Sequence, residues 1–205
     1  MYTRKNKRIK ERRNCQLKRA VKGNFGYLAV KRMQVIIRTI LFFGISIALY
    51  IAGYVTTGDN KNLLTIVAVL GLLPASKSLV NMIMLIRARG CSKEAKQELE
   101  PFEGRLVGMY DMYFTSYKKN FAISHMIVEG KVILGYTEDA KCDCRACEEH
   151  LNTMLKQGGF KDMTIRISEN IKGYGEQLEN LNQKNQENDP VKDDEVRVIL
   201  YDISL

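Results

Sequence analysis

Val35 to Val55 reads VIIRTILFFGISIALYIAGYV, and Leu63 to Ile86 reads LLTIVAVLGLLPASKSLVNMIMLI. The first stretch holds 21 residues with one charge, Arg38, and the second 24 residues with one charge, Lys77. Each reaches the roughly 20 residues that cross a hydrocarbon core of about 30 Å. Two such stretches separated only by TTGDNKN predict a two-helix transmembrane hairpin over 34–87, with spans at 35–55 and 63–86. Gly58, Asp59 and Asn60 supply the turn chemistry of its loop. A cleaved secretory signal fits the first stretch poorly, because the basic segment before it is long and no small-residue cleavage site follows.

Charge is segregated around the spans. Residues 1–33 carry twelve Lys or Arg and one acid, Glu11, a local net of +11, whereas from Gly90 onward fifteen basic residues face twenty-one acidic ones. The overall +9 therefore describes a basic cytosolic arm joined to a mildly acidic domain, not a basic globule. Basic residues crowd before the first span, and Arg87, Arg89, Lys93 and Lys96 follow the second. The loop has only Lys61 beside Asp59. The positive-inside rule then places both termini in the cytosol of a multi-pass cell-membrane protein. Arg4, Lys5, Lys7, Arg8, Arg12, Arg13, Lys18 and Arg19 are the expected contacts to anionic inner-leaflet lipids, each worth about 1 kcal/mol near the surface. The same residues would suit nucleic-acid phosphates, but no recognition motif accompanies them.

Within the spans, Gly44, Ala48 and Ala52 recur at helical spacing, as do Ala68, Gly71, Ala75 and Ser78. Such small-residue stripes suit either packing within the hairpin or self-association into a homo-oligomer. Lys77, with Asn81 and Ser78 nearby, forms a transmembrane polar patch beside Pro74, about 13 Å from the cytosolic end at 1.5 Å per residue. A charge there costs about 3 kcal/mol on insertion scales. It either snorkels beside a proline kink or lines an assembled pore.

Residues 90–205 predict a cytosolic α/β (α+β) domain in the order α-β-β-β-α-β-α-β. A helix at 92–100 with Ser92 as N-cap is followed by three strands, the last two flanking the turn signal Glu129-Gly130. Then come a helix at 143–157, a strand at 163–168, a helix at 169–183, a polar loop at 184–194 and a closing strand in EVRVILYDISL.

The stretch ISHMIVEGKVIL, 123–134, resembles the central hairpin of the nuclease-related domain of the restriction-endonuclease-like fold. That resemblance implies a divalent metal held by an aspartate and a glutamate, with a lysine positioning the attacking water. Here the aspartate position is Ser124, and the glutamate and lysine positions fall near Gly135 and Thr137, so the catalytic set is unmatched. Glu129 with Lys131, and Asp139 with Lys141, spell acid-x-Lys elsewhere, with Asp111 as a distant partner. His125 fits a structural hydrogen bonder.

Five cysteines, three of them within six residues, suit a reducing compartment. Cys142, Cys144, Cys147 and His150 offer a zinc-like ligand set at unusual spacing. Alternatively Cys144 and Cys147 are thiols activated at a helix N-terminus, or Cys147 simply packs in the core. The sequence thus points to a membrane-anchored domain that binds a protein or ligand. A divergent metal-dependent nuclease, a zinc or thiol enzyme, and an oligomeric pore with a cytosolic sensor are the other classes.

Overall fold

The computed structural model describes residues 21–59, 62–117, 119–183 and 190–205. They fall into two compact units, one of residues 28–88 and one in which residues up to 27 join 89–205. The basic positions from Arg4 to Arg19, and the short helix the sequence suggests around 5–21, lie outside the described residues.

The first unit is a pair of long helices, α1 (Tyr27–Thr57) and α2 (Leu63–Arg87). Both are long and apolar enough to cross a membrane, with 18-residue windows of mean hydropathy 2.2 and 2.0 that are only 17% buried. A core helix of a soluble protein hides most of such a window. Here Ile37, Ile40, Leu70 and Leu73 point outward instead.

The seam between the two helices uses fewer small residues than their spacing suggests. On α2, Ala68, Ala75 and Ser78 are buried, and a Cβ on Gly71 would come 2.7 Å from Ser46 Oγ, so glycine is what lets the backbones approach there. On α1 the seam runs instead through Val35, Thr39, Ser46 and Gly53. Gly44 has open space around it, and Ala48 and Ala52 are exposed. Spacing alone does not say which of several stripes turns inward. Thr39 Oγ1 and Ser78 Oγ, 2.7 Å apart, join the helices at a buried point. Arg32 donates to the carbonyls of Leu85 (3.0 Å) and Ala88 (2.6 Å) and satisfies the end of α2. Asn62 caps its start by accepting from Thr65 N–H.

The second unit contains a four-stranded mixed sheet with helices on both faces. Its elements are α3 (Lys93–Glu103), β1 (Gly108–Thr115), β2 (Asn120–Glu129), β3 (Val132–Tyr136), α4 (Cys144–Gln157), β4 (Thr164–Ser168), α5 (Ile171–Gln183) and α6 (Pro190–Ile203). Spatial order follows chain order, β1-β2-β3-β4, with the first two pairings antiparallel and the last parallel. The β2–β3 turn closes at Glu129↔Val132 around Gly130, whose φ of 59° suits a two-residue hairpin loop. Ala95 and Leu99 of α3 and Tyr174, Leu178 and Leu181 of α5 cover one face. Cys147, Leu151 and Leu155 of α4 and Val196 and Leu200 of α6 cover the other. Ser92 caps α3 as its position predicts, and Asn182 on α5 donates to the carbonyls of Phe102 and Glu103 at the other end of α3.

The closing segment is a helix, α6, where the sequence suggests a strand. β-branched residues in EVRVILYDISL favour a strand locally, but Asp193, Val196 and Leu200 are buried at three- and four-residue spacing, a helical stripe. Pro190 opens it at the position where a missing N–H is harmless. Only Ser204, past its end, bridges to Phe114 of β1. The expected polar loop at 184–194 shrinks accordingly, since 190–194 are helical and 184–189 lie outside the described residues. Residues 21–27, read above as arm, belong with the sheet. Gly23 O accepts from Tyr110 N–H at 2.7 Å, and Lys22 Nζ donates to the carbonyls of Tyr201 and Ser204, both at 2.9 Å.

Candidate functional site

The β1–β2 ladder skips from Tyr110↔His125 to Met112↔Ile123. At the gap, Asp111 has φ 56°, in the left-handed region that costs most residues about 1 kcal/mol and that aspartate tolerates best. The inward faces change parity there. Met109 but also Met112 and Phe114 of β1, and Phe121, Ile123 but also Met126 and Val128 of β2, belong to the core under α4 and α6. This paired kink turns four polar side chains, in two pairs on neighbouring strands, Tyr110-Asp111 and Ser124-His125, toward the α3 side.

Two of them join a buried network. His125 is 0% exposed, and its Nδ1 lies 2.8 Å from the hydroxyl of Tyr174, also 0% exposed. Its Nε2 lies 3.0 Å from Glu103 Oε1, a bent approach off the line of the ring N–H. A carboxylate there favours the Nε2–H tautomer and leaves Nδ1 to accept from Tyr174. The Tyr110 hydroxyl donates to the same carboxylate oxygen. Burial pushes the Glu103 carboxyl up, but the hydrogen bonds from His125 and Tyr110 outweigh it and hold the group below its ordinary value. The Tyr174 phenol is pushed well up by burial. Tyr136 stacks on Tyr174 at 5.7 Å, and Phe25 meets Tyr110 edge-on at 5.9 Å.

Ser124 faces a cleft of about 260 Å³ lined also by Arg89, Gly90, Ser92, Ala122, Glu138 and Asp139. Asp111, 4% exposed, accepts the Cys91 N–H at 2.7 Å, and Glu138 Oε2 accepts the Ser92 N–H at 2.8 Å. Two carboxylates at this end of the sheet are thus engaged with successive backbone donors that lead into α3. Ser124 Oγ accepts from Glu138 N–H at 3.3 Å, and Thr137 Oγ1 donates to Ala122 O at 2.6 Å. Asp139 Oδ1 accepts from Lys141 N–H at 3.1 Å, and the Lys141 side chain is exposed.

Glu129 and Lys131 sit at the opposite end of the hairpin. Glu129 pairs with Arg105 at 2.8 Å, and Lys131 is exposed in the turn. The weak acid candidates are therefore split, with Asp111 opposite the middle of β2, Asp139 past the end of β3 and Glu129 at the hairpin turn. Among the described residues no three His, Cys, Asp or Glu side chains gather in a group that could hold a metal ion.

The thiols of the cysteine cluster stay near one another, packed against the core. Cys142 and Cys147 are buried in the core with Leu151 and Leu155. Cys144 Sγ approaches Glu169 Oε1 at 3.5 Å. His150 lies over Phe121, ring centres 5.9 Å apart, and burial lowers its pKa. Burial, then the neighbouring Cys142 and Glu169, push Cys144 up to about 12, and burial raises Cys142 and Cys147 too. Cys91 likewise rises to about 12, through burial and then Glu138 and Asp111.

Glu103, Tyr110, Tyr174 and Glu138 were not singled out by sequence reading. The available signal was Tyr110-Asp111 and Ser124-His125, two polar pairs interrupting apolar strands at positions that turn out to be neighbours. In the helix pair, Lys77, Ser78 and Asn81 do line one groove, joined by Arg38 and Phe42 of α1. The chain matches no protein-family model, no curated protein and no solved structure.

Proposed function

We propose that the chain is a multi-pass membrane protein whose helical hairpin, with both termini in the cytosol, holds a binding, non-hydrolytic α/β domain at the inner membrane surface. The domain is read as a restriction-endonuclease-like fold that has exchanged metal chemistry for recognition of a protein or ligand. One observation carries this reading. Where the fold would hold a metal, the hairpin presents Ser124, Gly135 and Thr137, and the nearby Asp111 and Glu138 accept the N–H groups of Cys91 and Ser92. Those carboxylates organise the start of α3 instead of a cation. The cleft beside Ser124 is the natural contact surface, because Arg89 and Glu138 are exposed on it.

The test is in-cell crosslinking of the full chain from residues 89 and 138, with protease accessibility of both termini. A specific cytosolic partner and protected termini in sealed cells are expected. Metal-dependent nucleic-acid cleavage by the purified chain, abolished by Asp139→Ala, would replace this reading with the nuclease one.

A further inference from the structure

The two spans contain only two charged side chains, Arg38 and Lys77, and both line one groove. The cause is local. Thr39 and Ser78 bond across the seam at 2.7 Å, and each is the sequence neighbour of one of the cations. That contact fixes the helix register and brings Arg38 of α1 and Lys77 of α2 to the same side. The groove, about 740 Å³, is completed by Phe42, Pro74, Val80, Asn81 and Met84. Asn81 adds an amide donor, while Phe42, Val80 and Met84 supply apolar walls.

Nothing in the unit neutralises this pair. The sole acid from Leu28 to Ala88 is Asp59, in the loop at the other end. Among the described residues, Arg38 and Lys77 have neither an ion pair nor a hydrogen bond, in contrast to Arg32, which is engaged with two carbonyls. Arg38 is 19 residues before Thr57, about 28 Å along the helix, and Lys77 is 14 residues after Leu63, about 21 Å, so a lysine extended toward the inner surface closes most of the difference. Both heads then reach the level where phospholipid phosphates begin.

We propose that this groove binds the headgroup of one anionic phospholipid, its phosphodiester held between Arg38 and Lys77 and its acyl chain along Phe42, Val80 and Met84. A guanidinium presents a planar fork to phosphate oxygens and an ammonium adds a point charge, while Asn81 donates to the remaining headgroup oxygens. Water alone would leave two cations beside apolar walls, and a zwitterionic lipid brings its own ammonium against them. Net charge therefore selects an anionic headgroup.

The inference rests on the membrane reading above, and the experiment separates the two. The full chain is purified in mild detergent and given phosphatidylglycerol or phosphatidylcholine, and retained lipids are counted by native mass spectrometry. One phosphatidylglycerol per chain is expected, surviving salt that strips lipid from exposed basic segments. Arg38→Leu with Lys77→Leu should lower its occupancy roughly tenfold or more. The charge-conserving Arg38→Lys with Lys77→Arg should keep it, as should neutralising Arg12, Arg13, Lys18 and Arg19 to Gln.

Unchanged occupancy in the double leucine variant, equal retention of phosphatidylcholine, or loss only on neutralising the arm would overturn the assignment. So would a crosslink from residue 77 to an acidic residue of another transmembrane helix in place of lipid. Alkaline extraction of membranes reads the underlying premise by itself. Release of the wild-type chain sinks the membrane reading, whereas a chain that stays in the membrane yet holds no lipid sinks only this site.

Discussion

The sheet and the helix pair each set polar groups among apolar ones, and they resolve the cost differently. In the sheet, His125 is wholly buried, yet both ring nitrogens face partners from the chain, Tyr174 and Glu103. In the helix pair, Arg38 and Lys77 share a groove without a counter-charge among the described residues. A buried polar group that its own chain satisfies is explained by folding. A charge that the chain leaves unanswered asks for something outside it. The contrast assigns structural duty to the buried histidine and binding duty to the two cations of the spans.

Substitution can break that contrast directly. His125→Leu should lower the stability of the α/β unit by about 3 kcal/mol, because it strands the Tyr174 hydroxyl and removes one of the two partners of the Glu103 carboxylate. Lys77→Leu should leave the helix pair as stable or make it more so. Denaturant titration of the full chain in detergent, read by amide exchange in β2 and α2, compares the two. Equal destabilisation would mean that Lys77 is as structural as His125. Next in size, Asp111→Ala should cost about 2 kcal/mol, since alanine both resists φ 56° and removes the acceptor for Cys91 N–H. Asp111→Asn should recover most of that loss, because asparagine tolerates the same backbone and keeps an acceptor. If alanine is harmless, the kink is not held by this residue.

What the sequence reveals follows the same division. The long helices are plain because uninterrupted apolar runs leave few alternatives, and Ser92 and Gly130 sit where local chemistry alone decides the structure. α6 is missed because its β-branched residues carry a local preference that the buried stripe of Asp193, Val196 and Leu200 overrides. The inward stripe of α1 is missed because Gly44, Ala48 and Ala52 satisfy the same spacing as the true seam. The network around His125 is invisible for another reason. Glu103, Tyr110 and Tyr174 lie up to 71 residues apart, and they meet around His125 only once the two helices pack on the kinked sheet.

Smaller effects sharpen the picture at the seam. Thr39→Val with Ser78→Ala should weaken helix pairing by about 1 kcal/mol, in line with interhelical hydrogen bonds in lipid. Its more telling consequence is on register. If the hydroxyl pair aligns the two cations, phosphatidylglycerol retention should fall although Arg38 and Lys77 remain. Retention equal to wild type would show that the groove forms without it.

The smallest effect is a pair of opposed acid responses in the α/β unit. Glu103 is held below its ordinary value, so its contribution is present above about pH 4.3 and is lost as pH falls through its folded value. Asp193 is raised by burial, only partly offset by the Gly130 N–H it accepts at 2.9 Å and by Arg197. Its contribution is therefore fully present below about pH 3.9 and is lost as pH rises through its folded value. Near pH 4 the two slopes oppose, and the wild-type chain should respond weakly to mild acid. Asp193→Asn keeps an acceptor for Gly130, removes the rising penalty, and should leave a steeper loss of stability on acidification. Glu103→Gln should do the reverse, flattening or inverting the slope while lowering stability at neutral pH. Denaturant midpoints at pH 3.5, 4.5 and 7 for the three proteins decide it. Parallel profiles would mean that neither carboxylate differs between folded and unfolded chains, and the partnered half of the comparison would lose its electrostatic basis.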